Sequence, residues 1–144
     1  MASQVHHLFV FGTLKEGFPN FTANHGTRVA GSFKTVDRLP LYLVGARNSP
    51  WLLDQPGTGQ QVLGQVFEVD DLTLERMDVL ERVAEPDGYR RALIQVQNIC
   101  AGGKTMEVFA YLKPVEQLDP DQISAGPLTE YTLDHAMRYR KRSA

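Results

Sequence analysis

Between residues 61 and 83 the hydrophobic period of the chain changes once, from two to about 3.6. Over 61–69, Val62, Gly64, Val66 and Glu68 fall on one side of an extended chain, and Leu63, Gln65, Phe67 and Val69 on the other. Asp70 and Asp71 end that alternation, and their carboxylates can accept from the free N–H groups of a first helical turn. Residues 72–83 then carry the clearest helical spacing in the chain, with a second helix expected over 129–139. The other apolar runs, at 5–11, 28–36, 41–44, 89–99 and 106–112, read as strands. Residues 49–53 read as an edge strand or a packed loop, because Pro50 cannot donate to a ladder. Turn chemistry at 56–59 and 101–104 separates these runs. A chain with no regular strand–helix–strand alternation does not build a doubly wound sheet. The pattern predicts an α+β fold: a mixed, curved, barrel-like sheet with a few helices. One domain over 1–144 is expected, with a less regular segment at 113–144.

The opening strand, 5–11, is apolar on both alternating faces, so it is expected at the centre of the sheet. It breaks at Gly12, followed by Thr13, Leu14 and a polar turn through Lys15, Glu16 and Gly17. Amides just past such a break have no strand partner and can meet a carbonyl oxygen or an anion. Phe11, Gly12, Thr13 and Leu14 therefore read either as a main-chain cradle for a substrate oxygen or as an ordinary strand-end turn.

Several chemistries are excluded by what is missing. Gly12 to Gly17 has phosphate-loop spacing, but Phe18 and Pro19 stand where Lys and Ser or Thr are needed. Gly57-Thr58-Gly59 has no third glycine and opens no helix, so it is not a dinucleotide fingerprint. Of four histidines, His6 and His7 are adjacent and point to opposite faces of a strand, so no metal site is expected. Cys100 has no histidine spaced to activate it. As the single cysteine it forms no intrachain disulfide, which points to a reducing, cytoplasmic setting. A net charge of −2 argues against nucleic acid as partner, despite the basic run at 138–142. No signal peptide or membrane span is expected. A monomer or weak dimer without cofactor is anticipated.

In the helix, Leu74, Met77, Leu80 and Ala84 fall on one apolar arc, and Glu81 projects between them. A carboxylate in an apolar stripe is either paired or partly buried with a raised pKa. Glu81 is thus a candidate general base and acid, or one half of a structural ion pair with Arg90 or Arg91.

These segments carry a resemblance. Residues 9–17, with Pro19 and Asn20, resemble the Tyr-Gly-Thr-Leu-Lys-x-Gly opening of the γ-glutamyl cyclotransferase-like family. Met77-Asp78-Val79-Leu80-Glu81 and Tyr89-Arg90-Arg91 are similar to that family's Leu-Asp-x-Phe-Glu helix and Tyr-x-Arg strand. The stretches at 48–53, 56–59 and 62–70 are similar to its branch acting on γ-glutamylamines. The resemblance implies a barrel-like fold with a cavity at one end and a small-molecule γ-glutamyl substrate. It implies attack of the γ-glutamyl α-amine on its own γ-carbonyl, giving 5-oxoproline and a free amine. Glu81 matches the family's catalytic glutamate, and the amides of Gly12 to Leu14 match its oxygen site. Two departures stand out. Phe11 replaces the usual tyrosine, and Pro86-Asp87-Gly88 lengthens the segment between Glu81 and Tyr89. Other γ-glutamyl conjugates as substrates, or a binding module without catalysis, are the competing readings.

Overall fold

The computed structural model describes residues 4–100 and 103–140. The first three residues, the turn positions 101 and 102, and the basic residues 141 and 142 lie outside the described residues.

β1 (Val5–Val10) has β2 (Thr27–Arg28), β3 (Phe33–Thr35), β4 (Leu41–Val44) and β5 (Ser49–Leu52) after it. β6 (Leu63–Asp70) leads into α1 (Asp71–Leu80), and β7 (Arg90–Asn98) pairs with β8 (Thr105–Leu112). β9 (Ile123–Ala125) and α2 (Leu133–Ala136) complete the order. The main sheet runs β1-β8-β7-β3-β6-β2, and β1 also pairs with β6. That extra pairing closes five strands, β1, β8, β7, β3 and β6, into a barrel, which is the curved mixed sheet expected from the sequence. β1 runs antiparallel to β6, with Val5 opposite Asp70 and Val10 opposite Gln65, and parallel to β8, with Leu8 opposite Phe109. A smaller sheet, β5-β4-β9, lies beside the barrel with β5 at its edge, where Pro50 needs no ladder donor.

β1 is buried on both faces for a reason the strand period supplies. Phe9, with Phe11 just beyond the strand, points into a core shared with Phe33, Leu41, Leu52, Val66 and Leu112. Leu8 and Val10 point the other way, against Leu74 and Met77 of α1 and Phe67 and Val69 of β6. Asp70 caps α1 by accepting from the Thr73 amide at 2.7 Å. Asp71 ties the helix start to β1, accepting from His6 Nε2 at 2.6 Å and from the Gln4 amide.

Three elements differ from the sequence expectation. The strand expected over 28–36 is two strands, because the chain bends between them with Gly31 at φ +102°. α1 stops at Leu80, and Leu80 and Ala84 are exposed instead of completing an apolar arc. The stretch 129–139 is helical only at Leu133–Ala136, since Thr129 accepts from the Leu63 amide and the fully buried Tyr131 fills the barrel core. Packing of one large ring there outweighs helical propensity.

Met77 is 1 % exposed between β1 and β6, whereas Val79, two residues on, is 78 % exposed. Met77→Ala is expected to lower unfolding free energy by about 2–5 kcal/mol in urea titration, through the cavity it leaves. Val79→Ala should stay within about 0.5 kcal/mol.

Candidate active site

α1 ends in a way that sets the direction of Glu81. Glu81 is the C-cap residue, past the last helical turn, and not a member of an apolar stripe. The Val83 amide donates to the Asp78 carbonyl at 3.0 Å and the Arg82 amide to the Val79 carbonyl at 3.1 Å, the paired closure of a Schellman motif. Arg82 takes the left-handed conformation, φ +58°, that this motif demands, where glycine is usual. Its guanidinium meets Asp87 at 2.8 Å across the following loop.

The helix end is also fixed from outside. The Asp78 carboxylate accepts from the Tyr111 hydroxyl at 2.7 Å and from Arg91 at 2.8 Å. Arg90 reaches the carbonyls of Val83, Glu85 and Gly88 and holds the 81–89 loop in shape. Neither arginine pairs with Glu81, so the structural ion pair considered from the sequence does not form. The Glu81 carboxyl makes no hydrogen bond or ion pair among the described residues. Protein surrounds it on most sides, and this burial pushes its pKa up to about 7, with Lys113 pulling the other way.

Lys113 follows directly on β8 and is 4 % exposed. Its ammonium sits 4.2 Å from the ring centre of Trp51 and 4.7 Å from that of Tyr89, and donates to the Asp87 carbonyl and Gln117 Oε1. Gln117 in turn donates to the carbonyls of Pro86 and Gly88. The Pro86-Asp87-Gly88 segment is therefore a held wall of the site. Lys113 was not singled out in the sequence. Its one signal is that it continues the Tyr111 face of an alternating strand where a second inward aromatic or apolar residue would fit.

The 12–14 turn is held from behind. The Gly12 carbonyl accepts from the Lys15 amide at 3.1 Å, that of Thr13 from the Asn20 amide at 2.9 Å, and that of Leu14 from Asn24 Nδ2 at 3.0 Å. Lys15 is buried and donates to the Tyr131 carbonyl. The amides of Gly12, Thr13 and Leu14 donate to no acceptor among the described residues. Gly12 is glycine because of β5: a Cβ there would lie 2.7 Å from Pro50 Cγ, well inside contact distance. Pro50 is locked in turn by the Tyr89 hydroxyl, which donates to its carbonyl at 2.8 Å.

One cavity of about 980 Å³ is lined by Phe11, Gly12, Thr13, Leu14 and Glu81 together. Trp51, Tyr89, Tyr111 and Lys113 also line it. Phe11, without a hydroxyl, is buried at the exit of β1. No three His, Cys, Asp or Glu side chains among the described residues gather closely enough to hold a metal ion. What the arrangement offers is a buried carboxyl with its pKa raised to about 7, lining one cavity with bare peptide donors.

Known proteins share this chain's sequence and shape. The profile of the family described as "Gamma-glutamyl cyclotransferase, AIG2-like" matches residues 8–130. The chain is 36 % identical over 141 residues to gamma-glutamylaminecyclotransferase B of Danio rerio, covering 92 % of this chain and 72 % of that protein. It is 34 % identical over 146 residues to gamma-glutamylaminecyclotransferase of Rattus norvegicus, covering 94 % and 97 %. The crystal structure of an AIG2-like protein of Mus musculus superposes with a TM-score of 0.83 at 33 % identity, covering 98 % of this chain and 99 % of that one. The profile match takes in β2 to β9, the 12–14 turn and Glu81, and the chain belongs to the gamma-glutamyl cyclotransferase, AIG2-like family.

Proposed function

We propose that this protein is a γ-glutamylamine cyclotransferase, with Glu81 as its general base and acid. The observation that carries the reading is the unpartnered, half-neutral Glu81 carboxyl lining one cavity with the amides of Gly12, Thr13 and Leu14. The relatives' activity, as their name states it, supplies the substrate class.

The chemistry follows from the groups present. A γ-glutamyl α-ammonium enters and gives one proton to Glu81, which at a pKa of about 7 is a better base than an ordinary protein carboxylate. The freed amine attacks its own γ-carbonyl carbon. The C–N bond of the new five-membered ring forms and the carbonyl π pair moves to oxygen. Donors from Gly12 to Leu14 meet that developing charge, a contribution on the order of 10²–10³ in rate per donor in other enzymes. The pair returns, the bond to the leaving nitrogen breaks, and Glu81 delivers its proton to that nitrogen. The ring nitrogen sheds its remaining extra proton, so 5-oxoproline and a protonated amine leave. Nucleophile and carbonyl belong to one molecule, so orientation substitutes for activation by a cofactor. The single cysteine, Cys100, is free and exposed, which suits the reducing cytoplasm.

Two outcomes test this. Purified protein given γ-glutamyl-ε-lysine, γ-glutamyl-alanine or glutathione is assayed for 5-oxoproline. Product from γ-glutamyl-ε-lysine is expected, with kcat/KM rising as pH climbs through about 7 and Glu81 loses its proton. Glu81→Gln should reduce it by at least ~10²-fold, the lower range for general acid–base catalysis. Undiminished product in Glu81→Gln would remove Glu81 from the mechanism.

The same carboxyl burdens the fold. Between its ordinary value of 4.5 and about 7, native Glu81 keeps a proton that the unfolded chain has released. Native stability therefore falls as pH rises through that window and is lowest above it. Gln carries no such burden. Relative to wild type, Glu81→Gln should gain up to about 3 kcal/mol between pH 4 and pH 8, at 1.36 kcal/mol per unit of pKa shift. Urea unfolding at the two pH values measures it, and an equal difference at both would mean that Glu81 is not desolvated.

A further inference from the structure

The cavity has a second charged end that the proton-transfer chemistry does not use. Arg47, in the turn between β4 and β5, lines the same cavity as Glu81. Its guanidinium lies 5.9 Å from the ring centre of Tyr139, another lining residue. The Tyr89 hydroxyl also lines the cavity: burial chiefly raises its pKa, the negative charge of Glu81 adds to that rise, and the positive charge of Arg47 opposes it. The other cations lining the cavity are already engaged, Arg82 with Asp87 and Lys113 with Asp87 and Gln117. The Arg47 guanidinium makes no ion pair and no hydrogen bond among the described residues. Its backbone is held regardless of its side chain, since its carbonyl accepts from the Arg140 amide at 2.9 Å. Neighbouring Asn48, at φ 51°, donates to the Arg138 carbonyl and anchors the turn from its other side.

From this arrangement we infer that Arg47 is a substrate-carboxylate anchor, binding an anionic end of the γ-glutamyl compound across the cavity from Glu81. A guanidinium presents paired N–H donors that fit a carboxylate bidentately. The inference rests on the cyclotransferase reading. A γ-glutamyl amino acid carries two carboxylates, one on the glutamyl α-carbon and one on the leaving amine, and the shared chemistry is what Arg47 recognises.

The test uses Arg47→Gln and Arg47→Lys with three donors. These are γ-glutamyl-ε-lysine, γ-glutamyl-butylamine, which lacks a carboxylate on the leaving amine, and γ-glutamyl-ε-lysine with its glutamyl carboxylate blocked as the amide. Loss of a charge-assisted pair predicts a fall of about tenfold to a hundredfold in kcat/KM for γ-glutamyl-ε-lysine, carried mainly by KM. Arg47→Lys should recover part of it. A loss shared by γ-glutamyl-butylamine but absent from the blocked donor assigns the glutamyl carboxylate. A loss confined to donors with a carboxylate on the leaving amine assigns that end. Unchanged kcat/KM on all three donors overturns the inference while leaving the cyclotransferase reading intact. If wild-type protein releases neither 5-oxoproline from the two unblocked donors nor 5-oxoprolinamide from the blocked one, the function itself fails. Titration calorimetry of γ-glutamyl-ε-lysine into Glu81→Gln, with and without Arg47→Gln, then decides the anchor: equal affinity in the two overturns it. Thermal melts of the Arg47 variants matching wild type show that the fold is unaltered.

Discussion

The parallel pairing of β1 with β8 is the constraint from which the rest of the molecule follows. It joins the barrel that the β1–β6 pairing closes, and it makes the two strands end at the same rim. β1 exits there into Gly12, Thr13 and Leu14, and β8 exits there into Lys113. β6 runs antiparallel to β1, so the chain leaving β6 emerges at the opposite rim, beside His6. α1 must then travel back along β1. Its ten residues rise about 15 Å at 1.5 Å each, close to the span of the six-residue strand it lies on. Helix and strand start together at the Asp71–His6 contact and finish together at the cavity.

That geometry makes the end of α1 the most exacting place in the chain. The helix has to stop at the rim, and it does so without glycine, by placing Arg82 in the left-handed region and closing both Schellman bonds. It also has to arrive with the right rotation. Asp78, gripped by Tyr111 of β8 and Arg91 of β7, supplies that reference, and Glu81 lies three residues on, about 60° around the axis. Two hydrogen bonds to a surface-ward carboxylate thus orient another carboxylate that has none.

Burying an unpaired acid is costly. Here the cost is met by a wall that is unusually well connected. Arg90, Lys113 and Gln117 each bond backbone carbonyls of the 81–89 loop, and Tyr89 fastens that loop to Pro50, which packs on Gly12. The two halves of the site are therefore joined by one chain of contacts. The Pro86-Asp87-Gly88 segment is tied into this network and lines the cavity as part of it.

Much of the architecture was legible in the sequence because strand and helix periods are local properties. β1 reads as doubly buried, 61–69 as alternating and Asp70 as a cap, and each holds its place. Helix ends were less legible: nothing in Leu80-Glu81-Arg82 marks a stop, since the left-handed turn is stabilised by bonds across the loop. The 129–139 segment failed for a related reason, since burial of Tyr131 is a gain that only the assembled barrel provides. Glu81 and the 12–14 turn stood out in the sequence as single features. Their meeting in one cavity, the caging of Lys113 and the place of Arg47 on the same cavity depend on contacts between residues tens of positions apart. Periodicity speaks only of neighbours along the chain, and the closing of the barrel decides which strangers become neighbours in space.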